Sequence, residues 1–155
     1  MFDALSLLGC VKDGLRNDRI LGDLPDPGQV AAATEDIDEA IAQAAKIVPI
    51  TKAKTLIAVA GTATTVAAAA LDLPESDRYA IHLSHIPAEQ VHQTSQAFIK
   101  MTRMQRESLG YMHPGRVDVI SAGSLVLSRV MRATGASEFV ASESDILDGM
   151  AWSLV

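Results

Sequence analysis

Cysteine is all but missing from this chain: 155 residues hold one, Cys10. A single thiol excludes an internal disulfide framework and fits a reducing compartment, and its apolar surroundings suggest a buried, inert role. Aromatics are scarce as well, with three Phe, two Tyr and one Trp. Ala, Val, Leu and Ile must then fill the interior, which favours helices packed on a sheet of branched residues. Cations are outnumbered, 13 Lys and Arg against 19 Asp and Glu, for a net charge of −6. That balance argues against a nucleic-acid surface, which needs clustered Lys and Arg, but leaves room for a local anion pocket. Long apolar runs are absent too. The stretch Leu56–Leu71 is broken by Gly61 and threonines, so it is no membrane span. No basic region precedes the short apolar stretch near Met1, which is not a secretory signal; the expectation is a soluble, cytoplasmic protein.

What is present is organised around Leu56–Ala70. A short apolar run suits a strand covered on both faces, Gly61 supplies a turn, and an alanine-rich helix follows. The turn offers backbone N–H groups and the hydroxyls of Thr62, Thr64 and Thr65 at a helix N-terminus, where unpaired donors and the dipole favour an anion. The other reading is that Gly61 merely lets strand and helix pack closely.

Before it, Leu5–Val11 reads as a strand and Lys12–Pro27 as loop. Asp26-Pro27-Gly28-Gln29 is a helix start, with Asp26 as cap and Gln29 three residues on. Val30, Ala33, Ile37, Ile41, Ala44 and Val48 then keep a helical stripe up to Pro49. Glu35, Asp36, Asp38 and Glu39 fall mostly off the stripe and read as a solvated face. Downstream, Glu75–Ser84 is polar. His82, His85 and His92 lack a cysteine or carboxylate at ligand spacing, which argues against a metal site.

Pro87 opens a helix to about Met101, with Val91, Phe98 and Met101 on its inner side. Thr102–Gln105 has the capping-box pattern, for a short helix ending at Gly110. Val117–Ile120 reads as a strand, Ser121–Ser124 as a small-residue turn, and Leu125–Thr134 as a helix closed by Gly135. Glu138–Ala141 is a last strand. Ser142 is expected to cap a terminal helix with Asp145 at its third position and Ile146, Leu147 and Met150 facing inward. Strands alternating with helices imply parallel βα units, an α/β fold with ligand sites at the carboxyl ends of its strands.

A series of segments then resembles one family. They are Gly9-Cys10-Val11-Lys12, Val59-Ala60-Gly61-Thr62-Ala63-Thr64-Thr65, Tyr79-Ala80-Ile81-His82 and Met104-Gln105-Arg106, followed by Pro114–Gly123 and Ala141–Gly149. In order and spacing they are similar to the second domain of the exopolyphosphatases and guanosine pentaphosphate phosphatases. The resemblance implies a truncated actin-like (ribonuclease H-like) ATPase domain, a small mixed sheet with flanking helices. It also implies hydrolysis of terminal phosphoanhydride bonds in inorganic polyphosphate or guanosine pentaphosphate, with Mg²⁺ bound outside this chain.

By the same resemblance Gly61, Thr62, Ala63, Thr64 and Thr65 form a phosphate-binding loop. Gly123 is a second candidate that alternatively packs helix on strand. Arg116 approaches the phosphates or else pairs with Asp118 or Glu143. Arg103 and Arg106 are expected as helix-surface charges, with a role in a phosphate channel as the alternative.

The departures are as telling. The family's first domain, with the glutamate that serves as general base, has no counterpart here, nor has the Asp-x-Gly-Gly-Gly-Ser loop. Phosphoryl transfer depends on positioning, charge stabilisation and a base to orient water, so no residue is assigned as catalytic and the isolated chain is expected to be nearly inert. The expectation is a carboxyl-terminal portion of such an enzyme, or alternatively an inactive phosphate-binding or dimerisation module. In a sheet of order 3-2-1-4-5, residues 1–155 lack strands 1 and 2. Leu56–Val59 then becomes an open apolar edge, and residues 1 to about 20 are expected to repack either onto that edge of their own sheet or onto a partner in a homodimer.

Overall fold

A computed structural model describes residues 23–154. The expectations for Leu5–Val11, Cys10 and the repacking of residues 1 to about 20 lie outside them. The first element is α1, Pro27–Ile47. Asp26 accepts a hydrogen bond from the Gln29 amide at 2.9 Å, and the Gln29 side chain accepts one from the Asp26 amide at 3.0 Å. This capping box satisfies donors that the first helical turn leaves unpaired. The helix ends where the residue before Pro49 is forced out of the helical region; Val48 is extended.

A strand β1, Ile57–Val59, runs directly into α2, Ala60–Ala70. A short helix α3, Arg78–Ile81, is capped by Asp77, and β2 follows at His85–Pro87. Next come α4, Ala88–Lys100, and α5, Arg103–Glu107, the latter opened by the Thr102–Gln105 capping box. The chain continues through α6, Ile120–Thr134, β3, Glu138–Ser142, and α7, Ile146–Trp152.

The three strands form one mixed sheet in the order β1-β3-β2. β1 is parallel to β3, with Ile57 opposite Val140 and Val59 opposite Ser142. β2 is antiparallel to β3. The expected parallel βα pairing therefore holds for β1 and β3, and β2 is an addition. His85 and Pro87 make β2 unpromising as sequence, yet proline is tolerated on an outer strand, where no ladder donor is needed.

Phe98, Phe139, Ile81, Ile86, Val66, Val91, Val117, Ile120 and Met131 form the main core between the sheet and α2, α4 and α6. A second cluster joins Ala33, Ile37 and Ile41 of α1 to Ala122, Leu125 and Val126 on another face of α6. Asp38 was expected on a solvated face. It instead ties α1 to α6 through a bidentate pair with Arg129, at 2.6 and 2.7 Å, the geometry that makes Arg–carboxylate pairs strong.

Ser95, buried on α4, has no hydrogen-bond partner for its hydroxyl among the described residues. Ser95→Ala is expected to raise stability by about 1 kcal/mol, since it removes an unsatisfied buried hydroxyl and adds a better helix former. A urea midpoint unchanged or lowered by the substitution would contradict this.

Several local expectations are corrected. Val117–Ile120 is not a strand. A 3₁₀ turn at Pro114–Arg116 is followed by a turn, and α6 starts at Ile120, so Ser121–Ser124 is its first turn. The branched residues suggested a strand, but Val117 gives its carbonyl to the Arg106 guanidinium at 2.8 Å and not to a neighbouring strand. Arg106 itself is no surface charge; it is 4% exposed. α5 stops at Glu107, short of Gly110. Finally, α7 is capped by Asp145, with Asp148 reciprocating, while Ser142 closes β3. Leu147 and Met150 are exposed, not inward-facing.

On the side of β1 away from β3, no described strand follows, and Ile57 is 58% exposed. No helix among the described residues is long and apolar enough to cross a membrane.

Candidate functional site

The site is built at the carboxyl ends of the parallel pair β1 and β3. At the first of these, β1 passes into α2 with no loop between them. Ala60 takes up the reversal with a left-handed backbone, φ 66°. This costs a non-glycine residue on the order of 1 kcal/mol or more and is kept only where the surroundings impose it. Val59 stands at the cap position and provides no side-chain acceptor, so the first N–H groups of α2 meet no side-chain cap.

Gly61 follows, and its role differs from the one expected. Its backbone is not left-handed; what it provides is space. A Cβ there would lie 2.2 Å from Nε and 2.3 Å from Cζ of Arg116. The guanidinium thus lies directly on the helix start. It is held there by Thr65, whose hydroxyl accepts from Arg116 Nη1 at 3.1 Å and donates to the Gly61 carbonyl at 2.7 Å.

The five residues of the expected loop divide by role. Thr64 and Thr65 are buried, and both hydroxyls turn back to the Gly61 carbonyl, Thr64 at 3.4 Å. Ala63 is buried in the core. The loop is therefore the first turn of a helix, and its outward groups are backbone, together with Arg116. Thr62 lies against Gly123, where a Cβ would come 2.9 Å from its side chain. That contact packs α6 on α2, helix on helix, and not helix on strand as the alternative for Gly123 had it. Arg103, not Arg116, pairs with Asp118, at 3.0 Å.

Ala60, Gly61, Thr64 and Arg116 line a cleft of about 230 Å³ with Ser142, Glu143 and Asp145. The last three come from the end of β3 and the cap of α7, which the parallel register brings opposite the end of β1. The sequence offers Ser142 as a helix cap and Glu143 as a candidate partner of Arg116; the signal that places both at the cleft is that they follow a strand parallel to β1. The cleft's positive side is Arg116 with the helix end. Its acidic side is Glu143 and Asp145, and Asp145 is already engaged as the cap of α7. A second cavity of about 360 Å³ adjoins it along β1, lined by Ile57, Val59, Val126, Leu127 and Val130 among others.

The histidines go to separate partners. His82 accepts from the Glu143 amide, His85 pairs with Glu138 at 2.6 Å, and His92 bonds Ser128 at 2.8 Å. Burial, and then the nearby Arg132, push the His92 pKa below its ordinary value. Among the described residues no three His, Cys, Asp or Glu are grouped to hold a metal ion. No step is assigned to Mg²⁺.

The chain has relatives in sequence and in fold. The chain matches the Ppx/GppA phosphatase family over residues 3–155. It is 38% identical over 151 residues to Exopolyphosphatase 2 of Mycobacterium tuberculosis, a match covering 95% of this chain and 47% of that protein. The crystal structure of an exopolyphosphatase-like protein superposes with a TM-score of 0.86 at 33% identity, over 92% of this chain and 48% of that one. The PPX-GPPA enzyme of Aquifex aeolicus has the same fold, with a TM-score of 0.82 at 18% identity, over 92% of this chain and 46% of that one. The chain thus spans about half the length of these relatives. By fold and by sequence, it belongs to the Ppx/GppA phosphatase family.

Proposed function

We propose that this chain forms one wall of the phosphate-binding cleft of an exopolyphosphatase, an enzyme that removes the terminal phosphate of inorganic polyphosphate or guanosine pentaphosphate. The observation that carries the reading is Arg116 lying on the uncapped start of α2. A guanidinium and helix-end N–H groups on one small surface suit phosphoryl oxygens, because both present donors and positive charge. In this reading the start of α2 around Gly61 receives a phosphate group and Arg116 bears on its charge. Thr64 and Thr65 shape the turn, and Gly123 lets α6 approach it. Orienting the attacking water is left to groups outside this cleft.

The reading is tested by titrating tripolyphosphate into the ¹⁵N-labelled chain. The Gly61, Thr62 and Ala63 amides are expected to move. Arg116→Ala should weaken binding about tenfold, the worth of one charge-assisted hydrogen bond of about 1.4 kcal/mol. Shifts elsewhere with these amides unmoved would remove the basis of the reading. Phosphate release from long-chain polyphosphate, with and without Mg²⁺, is expected to be negligible for the chain alone. Appreciable release would show that it carries its own base.

The exposed edge of β1 supports one further part of the reading, self-association. Exposed apolar edges pair with other chains, and Ile57 and Val59 stand on this one. Sedimentation equilibrium is expected to show a homodimer that Val59→Lys weakens. A monomer at every concentration would dismiss it.

A further inference from the structure

Arg106 is the most deeply buried charged residue described, and it does not line the cleft. Its guanidinium donates to three backbone carbonyls: Nε to Val117 at 2.8 Å, and Nη1 to Met101 at 2.6 Å and Phe98 at 3.4 Å. Asp23 approaches Nη2 at 4.0 Å. Phe98 and Met101 belong to the last turn and cap of α4, where unpaired carbonyls and the dipole favour a cation.

The Val117 carbonyl has a different place. It follows Arg116 directly, in a segment already tightened by hydrogen bonds from the Arg116 amide to His113 and from the Val119 amide to Arg116. Ser121 at the start of α6 donates to the same Phe98 carbonyl at 2.9 Å. Arg106 thus fastens the end of α4 to the turn that holds Arg116 out towards Gly61 and Thr65.

Stability alone does not account for a guanidinium here. A buried charge is costly, and the described carboxylate facing it, Asp23, stands 4.0 Å away. A planar fork with five donors is suited to fixing carbonyls from two segments in one geometry.

We infer that Arg106 is a positioning residue for Arg116: by clamping the 114–119 turn to the end of α4, it sets where the Arg116 guanidinium meets a bound phosphate chain. The inference rests on the phosphate-binding reading of the cleft. It extends the site's machinery to a residue outside its walls.

Arg106→Lys keeps the charge and cannot hold all three carbonyls. Tripolyphosphate binding by calorimetry, on variants whose unfolding curves show a folded chain, provides a double-mutant cycle with Arg116→Ala. Arg106→Lys is expected to weaken binding about tenfold in the wild-type background. In the Arg116→Ala background it should cost less than about twofold, because residues acting through one another are not additive. A purely structural role predicts the same loss in both backgrounds, and that result would overturn the inference while leaving the cleft intact. An Arg116→Ala chain that binds like wild type overturns the cleft reading, and this inference with it.

If Arg106→Lys does not fold, the wild-type chain still decides. Reciprocity of coupled sites requires saturating tripolyphosphate to slow hydrogen exchange at Arg106 Nε–H. Unaltered exchange there, with Arg116 Nε–H slowed, overturns the clamp.

Discussion

Gly110→Ala is expected to destabilise the fold by about 3 kcal/mol, at the upper end of what forcing a methyl into a filled space costs. A Cβ at Gly110 would sit 2.1 Å from the Pro74 carbonyl oxygen, with the Pro74 carbonyl carbon at 3.3 Å and the Glu75 Cα at 3.8 Å. All three are backbone atoms, and proline fixes its own φ, so no rotamer change can relieve the clash. Two chain segments have to separate instead, the link from α2 to α3 and the one after α5. Gly110 has no left-handed backbone, so the cost is purely steric. The check is urea denaturation of Gly110→Ala beside wild type. A midpoint drop with an unchanged slope is expected, and a stability within about 0.5 kcal/mol of wild type would show that the two segments can part freely.

Gly61→Ala meets an even closer set of atoms and is expected to behave in the opposite way. The added Cβ would lie 2.2 to 2.4 Å from Nε, Cζ and Nη2 of Arg116. These are the far end of a flexible, half-buried side chain, which can swing into the cleft. The loss is then the hydrogen bond to Thr65, worth about 1 kcal/mol, and it is offset by about 1 kcal/mol from replacing glycine by alanine inside a helix. Stability should therefore stay within about 1 kcal/mol of wild type.

Anion binding should not survive so well. The displaced guanidinium no longer lies on the helix start, and the methyl projects into the space it occupied. Tripolyphosphate affinity is expected to fall by about tenfold to a hundredfold, a loss of about 1.4 to 2.7 kcal/mol. Calorimetry on the folded variant measures it. An affinity equal to wild type, with Arg116 displaced, would mean that the arginine serves the fold alone. The pair of glycines thus separates two uses of the same absence of a side chain. At Gly110 two backbones meet; at Gly61 a backbone meets a movable charge.

The elements that were legible in the chain are those whose cause is local. Asp26 with Gln29 and Thr102 with Gln105 complete their bonds within three residues, and both capping boxes are present. The stripe of Ala33, Ile37 and Ile41 repeats at helical spacing and is buried. The passage from Leu56–Val59 into an alanine-rich helix reads directly from composition, as does the last strand. The site was legible in part. Gly61 and Arg116 are both named from the sequence, Gly61 as a turn in a phosphate loop and Arg116 as a phosphate contact or one end of an ion pair, but not as neighbours. Their contact joins segments 51 or more residues apart, counted by the Arg116–Thr65 bond. No periodicity reports such a meeting.

Sequence by itself determined the family, the parallel strand–helix unit and the helix boundaries set by caps, because each depends on neighbours along the chain. Tertiary structure alone decided the rest. It turned Val117–Val119 from a strand into a turn, buried Arg106 among carbonyls of α4, and paired Asp38 with Arg129 across two helices. The physical reason is common to all three. A charged side chain or a branched run has several acceptable surroundings, and which one it adopts depends on the donors and acceptors that distant segments leave unpaired beside it.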